Sequence, residues 1–191
     1  MPDSSIDKTL IIRFSSVGDI VLTTQLVRAL RRRFPHSRVD YLVKAEYADL
    51  LRHNPHLSRL IEFPAHGKLL DLLQLRKSIR ADAYDLVIDV HNSIRSRILC
   101  AGMRNVVRIR KRTIARFALV RFKRDIYGWF GGSPPVARRY LDTVKRFGVE
   151  DDGLGPELDV PPVAITRALQ RNQMNSPVRT LRPKAPEILP S

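Results

Sequence analysis

Short apolar runs alternate with segments of helical period along residues 8–150, and this alternation restricts the possible folds more than any other feature of the chain. The run TLIIRF at residues 9–14 reads as a buried strand, because it is continuous, rich in isoleucine and followed by a small-residue turn, SSVGD. In the next stretch, IVLTTQLVRALRRRF, Val21, Leu22, Leu26, Val27, Leu30 and Phe34 recur at helical spacing. Arg28, Arg31 and Arg32 are left to face solvent, and Pro35 stops the helix. The cycle repeats with strands at residues 38–43, 59–63, 84–90 and 106–109, and helical patterns at residues 45–53, 68–80, 93–101, 113–124 and 136–147. Such an order predicts an α/β fold: a doubly wound, Rossmann-like parallel sheet with helices on both faces. Ligands of these sheets bind at the carboxyl ends of strands. Two loops are thereby selected, SSVGD after the first strand and HNSIRS after YDLVIDV.

A chain of 191 residues has room for one domain of about 150 residues and a tail. Residues 151–162, DDGLGPELDVPP, have the turn-rich and proline-rich composition of a linker. Residues 163–191 are expected to be disordered or to form one short helix over ITRALQRNQ. With 43% apolar residues, a wholly disordered chain is excluded. Cys100 is the only cysteine, which leaves no disulfide framework and no thiolate metal site. The start, MPDSSIDK, lacks a signal-peptide pattern, and no apolar run approaches the roughly 18 residues of a membrane span. A soluble cytoplasmic protein is expected.

Lysine and arginine number 34 against 19 acidic residues, for a net charge of +15. That balance favours a polyanionic partner: nucleic acid, a phosphorylated glycan or an anionic membrane surface. The densest charge is RNVVRIRKRTIARFALVRFKR at residues 104–124, with nine basic residues and no acidic one. Phe117, Phe122, Tyr127, Trp129 and Phe130 lie in or near it and could serve base stacking, although Phe117 and Phe122 equally suit a buried helix face. A basic nucleic-acid-binding module and a binder of phosphorylated, lipid-linked glycan both remain open at this point.

Asp19 stands where the first strand hands over to the first helix, with two readings open. It is a helix N-cap, or it is a general base at the open end of the sheet, kept ionised by the positive helix terminus. Gly18 beside it permits a tight turn or close approach of a ligand. Ser15 and Ser16 add hydroxyls near a helix N-terminus, an arrangement able to hold phosphate. Neither GxGxxG nor GxxxxGK[ST] is present, which removes the main support for a dinucleotide-binding or ATPase function. In the second loop, Asn92 or Ser93 caps the next helix, or Asn92 and Ser93 bind sugar hydroxyls while Arg95 or Arg97 grips phosphate, with His91 alongside.

Together these segments make the chain similar to the N-terminal half of the lipopolysaccharide heptosyltransferases of glycosyltransferase family 9. The resemblance rests on LIIRFSSVGDIVLTTQLVRALRRRFPHSRVDYLV, HNPHLSRLIEF, YDLVIDVHNSIRS and VARRYLDTVKRFGV, in family order over residues 10–149. It implies a GT-B architecture of two Rossmann-like domains facing a cleft, the N-terminal one receiving the acceptor. The implied activity is transfer of heptose from ADP-heptose to the lipopolysaccharide inner core, with inversion and with no required metal or cofactor. Asp19 matches the family's proposed catalytic base, and Ser16 and Gly18 match its loop. Arg110, Lys111, Arg112 and Arg116 are expected to meet acceptor phosphates and carboxylates. The implied partner is the anionic inner-core and lipid A acceptor, with peripheral association at the inner-membrane surface and no nucleic acid.

Two departures accompany the match. Pro134–Pro135 stand where relatives often carry a polar residue. Residues 163–191 contain no strand–glycine–helix pattern, so the C-terminal nucleotide-sugar domain is expected to be missing and the chain truncated. An isolated chain of this kind is expected to transfer sugar poorly, or to act as a non-catalytic acceptor-binding scaffold whose donor-binding domain another chain supplies.

Overall fold

The computed structural model describes residues 6–109 and 136–159. Five strands form one wholly parallel sheet: β1 (Lys8–Ile12), β2 (Arg38–Lys44), β3 (Arg59–Phe63), β4 (Leu86–Asp89) and β5 (Val106–Arg108), in spatial order β3-β2-β1-β4-β5. The order reverses at β1, which pairs with β2 on one side and with β4 on the other. That reversal is the topological switch point of a doubly wound sheet, and the crevice outside the carboxyl ends of its strands is where such folds hold ligands.

Alternation along β1 sorts the core into two layers. Ile11 joins Leu26, Val27 and Leu30 of helix α1 (Val17–Arg33), together with Tyr140 and Leu141 of helix α4 (Val136–Asp142), on one face. Leu10 and Ile12 join Leu72 and Ile79 of helix α2 (Leu69–Ala81) and Leu99 and Cys100 of helix α3 (Ile94–Cys100) on the other. β1 has a covered layer on each side, which explains its nearly unbroken apolar sequence.

Three expectations change in detail. Helix α1 starts at Val17 rather than at Ile20, because Ser16 in extended conformation is its N-cap. The helical pattern at residues 45–53 is a 3₁₀ helix, Ala45–Leu50, and the pattern at residues 136–147 splits into α4 and a 3₁₀ turn, Lys145–Phe147. Gly148, at φ +72°, ends that turn in the left-handed region that glycine tolerates best.

Arg28 is the larger correction. Its expected solvent face is covered: the residue is 6% exposed. Its guanidinium donates to Asp152 at 2.7 and 2.8 Å, to Glu157 at 2.5 Å and to the Gly155 carbonyl at 2.7 Å. Residues 152–157, at the start of the stretch read as a linker, are thus fastened to α1, and the Glu157 backbone N–H donates to Thr24 Oγ1. Acids more than 120 residues away in sequence leave no mark on a helical pattern.

Residues 110–135 and 160–191 lie outside the described residues. With them lie the pattern at residues 113–124, the nearby aromatics, Pro134–Pro135, and Arg110, Lys111, Arg112 and Arg116. Among the described residues no helix is long and apolar enough to cross a membrane.

Candidate functional site

The loops after β1 and β4 are neighbours because their strands are paired, with Ile12 opposite Asp89 in register. Both leave the sheet at its carboxyl edge, and both selected loops therefore flank the switch point. Arg13 joins them. Its Nη1 donates to the Val90 carbonyl at 2.6 Å, its Nη2 forms an ion pair with Asp19, and its guanidinium carbon lies 5.9 Å from the centroid of the Tyr140 ring. Phe14 adds a second bridge, an edge-on contact with the His91 ring at 5.3 Å.

Asp19 is not the N-cap of α1. With Ser16 at that position, Asp19 falls third in the first helical turn, and Ser16 makes no side-chain capping bond to the backbone. Ser16 Oγ instead donates to Asp19 Oδ2 at 3.1 Å, while Tyr140 Oη donates to Oδ1 at 3.0 Å. The carboxylate is thus gripped by an arginine and two hydroxyls, yet its side chain stays 32% exposed. Partial burial pushes its pKa up, but the Arg13 charge and the Tyr140 and Ser16 hydrogen bonds outweigh that, and the net shift is downward. Tyr140 moves oppositely, to about 12, chiefly through burial, so its phenol remains a donor at neutral pH. If the Arg13 charge is a main reason for the lowered value, Arg13→Gln should move the Asp19 titration up toward the ordinary aspartate range. Carboxyl-carbon NMR across acid pH would show it, and an unmoved midpoint would refute that cause.

Gly18 does not make a tight turn. It sits in the first turn of α1, outside the left-handed region, and a Cβ placed on it would meet no atom within 4 Å. Neither backbone conformation nor internal packing therefore calls for glycine there, whereas a ligand lying on the helix terminus would. Gly18→Ala should leave stability unchanged or raise it by up to about 1 kcal/mol in urea denaturation. A large loss of stability would show that the residue serves the fold.

In the second loop, Ser93 is the N-cap of α3, its Oγ accepting from the Ser96 N–H at 3.3 Å. Asn92, at φ +47°, has both ends of its amide engaged: Nδ2 donates to the Ile109 carbonyl at 2.9 Å, and Oδ1 accepts from Arg97 Nε at 3.0 Å. Arg95 is exposed and makes no ion pair among the described residues. Ser15, directly before Ser16 in the first loop, is half-buried. The structure thus brings Ser16, Gly18 and Asp19 to one rim and His91, Asn92, Ser93 and Arg95 to the next, while the four basic residues from Arg110 to Arg116 lie outside the described residues.

Three contributors were not singled out from the sequence. Arg13 and Tyr140 hold Asp19. Asp89, fully buried, accepts from the backbone N–H groups of His91 at 3.2 Å and Asn92 at 2.7 Å and from Ser96 Oγ at 2.9 Å, with Arg108 Nε 3.6 Å away. A carboxylate ending an otherwise apolar strand, two residues before a polar loop, was the available signal for Asp89. Tyr140 carried none, since its partner is 121 residues distant.

A wound parallel sheet with a partly exposed carboxylate at its switch point defines an α/β domain of the doubly wound class. Similarity narrows the class. Lipooligosaccharide heptosyltransferase 2 of Haemophilus ducreyi is 36% identical over 92 residues, which is 47% of this chain and 26% of the relative. Lipopolysaccharide heptosyltransferase 3 of Escherichia coli K12 is 32% identical over 78 residues, 38% of this chain and 23% of the relative. No protein-family profile matches the chain. Among solved structures, a family 9 glycosyl transferase from Veillonella parvula superposes with a TM-score of 0.68 at 18% identity, covering 91% of this chain and 51% of that one. The Escherichia coli ADP-heptose lipopolysaccharide heptosyltransferase II gives 0.59 at 20% identity, covering 90% and 51%. The chain is similar, over part of its length, to lipopolysaccharide heptosyltransferases in sequence and to family 9 glycosyltransferase structures in fold. It spans about a quarter of the length of the curated relatives in sequence and about half of the solved GT-B structures in fold.

Proposed function

We propose that residues 8–150 form the acceptor-binding domain of a heptosyltransferase-type glycosyltransferase, with Asp19 as general base. The observation that carries this proposal is the Asp19 carboxylate itself, partly open to solvent and fixed by Arg13, Ser16 and Tyr140 at the carboxyl edge of the sheet. In the proposed step a hydroxyl of the lipopolysaccharide inner core gives its proton to Asp19 as its oxygen bonds to the anomeric carbon of ADP-heptose. The opposite carbon–oxygen bond breaks, and ADP leaves with that electron pair, which inverts the anomeric centre. Arg13 keeps the carboxylate ionised and must loosen its grip as the proton arrives. Tyr140 orients the second carboxylate oxygen. Arg95, with Arg110 to Arg116, is assigned to the phosphates of the acceptor.

Transfer needs donor and acceptor held in line, and positioning supplies much of the barrier reduction. One wall of a cleft positions one substrate. The purified chain should therefore bind a phosphorylated inner-core glycolipid yet transfer heptose efficiently only when joined to a nucleotide-sugar-binding domain from a family 9 relative. Mass spectrometry of the glycolipid product tests this. Turnover by the chain alone at about 1 per second or faster, a rate ordinary for complete enzymes, would overturn it.

A further inference from the structure

A serine at the start of a helix ordinarily turns its hydroxyl back onto the backbone N–H groups of the first turn. Ser16 does not. It holds the N-cap position of α1 in extended conformation, at φ −94° and ψ 179°, yet its side chain makes no capping bond. Its Oγ donates instead to Asp19 Oδ2, three residues on, at 3.1 Å. An ordinary helix-terminus bond is thus given up for a contact with the carboxylate of the site.

The three donors on Asp19 differ in how firmly they are placed. Tyr140 is 1% exposed, and its Oη reaches Oδ1 from the interior at 3.0 Å. The Arg13 side chain is 13% exposed, and its guanidinium is also tied to the Val90 carbonyl at 2.6 Å. Ser16 is exposed, and its hydroxyl has no second partner among the described residues. Its bond is also long, because a carboxylate ordinarily draws an O–H donor to about 2.5–2.7 Å. Of the three, Ser16 is the one that leaves without disturbing the interior.

A carboxylate oxygen offers two lone-pair sites. On Oδ2, Arg13 Nη2 and Ser16 Oγ fill both. Oδ1 lies against buried Tyr140 and Oδ2 against exposed Ser16, so an alcohol arriving from solvent meets Oδ2 on the Ser16 side. That oxygen takes a new donor only when Ser16 yields. A sugar hydroxyl supplies the same O–H group that serine does, and the exchange leaves Asp19 with as many hydrogen bonds as before.

We propose that Ser16 is a place-holder for the acceptor: its hydroxyl occupies Asp19 Oδ2 in the free domain and is displaced by the acceptor hydroxyl, which gives its proton to that oxygen. This deepens the general-base function proposed above and rests on it. The proton passes to Oδ2 as the acceptor oxygen bonds to the anomeric carbon, and ADP departs with the electron pair of the broken bond. Tyr140 keeps Oδ1 in place throughout and is a positioning residue. Ser16 is then a competitor of the acceptor rather than a contact for it, and removing its hydroxyl should strengthen binding.

The test compares the full chain with Ser16→Ala, using a phosphorylated inner-core glycolipid as probe. Calorimetry reads affinity, and NMR of the Asp19 carboxyl carbon across acid pH reads its midpoint. Arg13, Tyr41 and Tyr140 are the titratable groups around that carboxyl among the described residues, and the substitution leaves all three in place. The Ser16 hydrogen bond helps to hold the Asp19 pKa down, so without glycolipid the variant midpoint should lie above that of the parent. With saturating glycolipid the two midpoints should coincide, since the same donor then sits on Oδ2 in both. Affinity should rise about two- to fivefold. Ser16→Thr, which keeps the hydroxyl, should behave as the parent. A role in folding alone would produce neither the convergence nor the tighter binding. A thermal melt reports folding, and Ser16→Gly, well tolerated at an N-cap, replaces Ser16→Ala if that variant does not fold. Unchanged or weaker binding by the folded variant, or a midpoint difference that persists in the complex, would overturn the proposal while leaving Asp19 as the base. A parent Asp19 signal that ignores bound glycolipid would overturn the general-base function itself, and the place-holder with it.

Discussion

Asp19→Asn, in a chain joined to a nucleotide-sugar-binding domain, should lower kcat for heptose transfer by about 10²–10⁴-fold, the usual contribution of the general base that Asp19 is proposed to be. KM for the acceptor changes much less, because asparagine keeps the shape of the side chain and still accepts from Tyr140 Oη, which lies 3.0 Å from Oδ1 in the parent chain. Stability should fall by no more than about 1 kcal/mol, since the ion pair with Arg13 is partly solvated. Steady-state rates with product analysis, beside a thermal melt, separate the two effects. A variant that transfers heptose at the parent rate removes Asp19 from the chemistry, and one that unfolds assigns it to the helix terminus. The pH dependence follows from the lowered pKa of Asp19. The competent form is the carboxylate, present above that pKa, so the acid limb of kcat/KM should fall below the ordinary aspartate range rather than near neutrality.

Arg28→Ala should destabilise the domain by about 3–5 kcal/mol, the cost of removing one partner of a buried ion pair. The side chain of Asp152 is only 4% exposed and would lose its bidentate partner, while the Gly155 carbonyl would lose its donor. Arg32, 3.2 Å from the same carboxylate, is itself 62% exposed and replaces little of this. Urea denaturation of the variant reads the loss directly, and a change below about 1 kcal/mol would mean that the segment at residues 152–157 is held by other contacts. The linkage to pH has a definite sign. Arg28 holds the folded-state pKa of Asp152 well below the usual carboxylate range, with burial opposing. The stabilisation is therefore complete above the unfolded value of about 3.9 and drains away as pH falls toward the folded value. Arg28→Ala should lose part of that acid sensitivity.

Much of the fold was legible because it is written in local period. The run TLIIRF and the helix pattern after it named β1 and α1 within a few residues, and the repeated alternation named a parallel sheet. From that sheet, the rule for carboxyl-end loops reached both the Asp19 loop and the His91–Asn92–Ser93 loop. What sequence could not supply was pairing at a distance. Arg28 looked solvated because Asp152 and Glu157 lie at the far end of the domain, and nothing in the helical pattern at residues 136–147 marked Tyr140, whose hydroxyl the fold brings to Asp19. Arg13 looked like the end of a strand. Its guanidinium, shared between Val90 and Asp19, couples the two loops that sequence had treated separately.

The proposed place of Asp19 beside the acceptor hydroxyl is tested most directly by following its side-chain carboxyl carbon by NMR while a phosphorylated inner-core glycolipid is added to the purified chain. Saturable movement of that signal, accompanied by backbone shifts at Ser16, Gly18 and Tyr140 and abolished by Gly18→Trp, is the expected result. A carboxyl signal that stays fixed while the glycolipid binds elsewhere would contradict it.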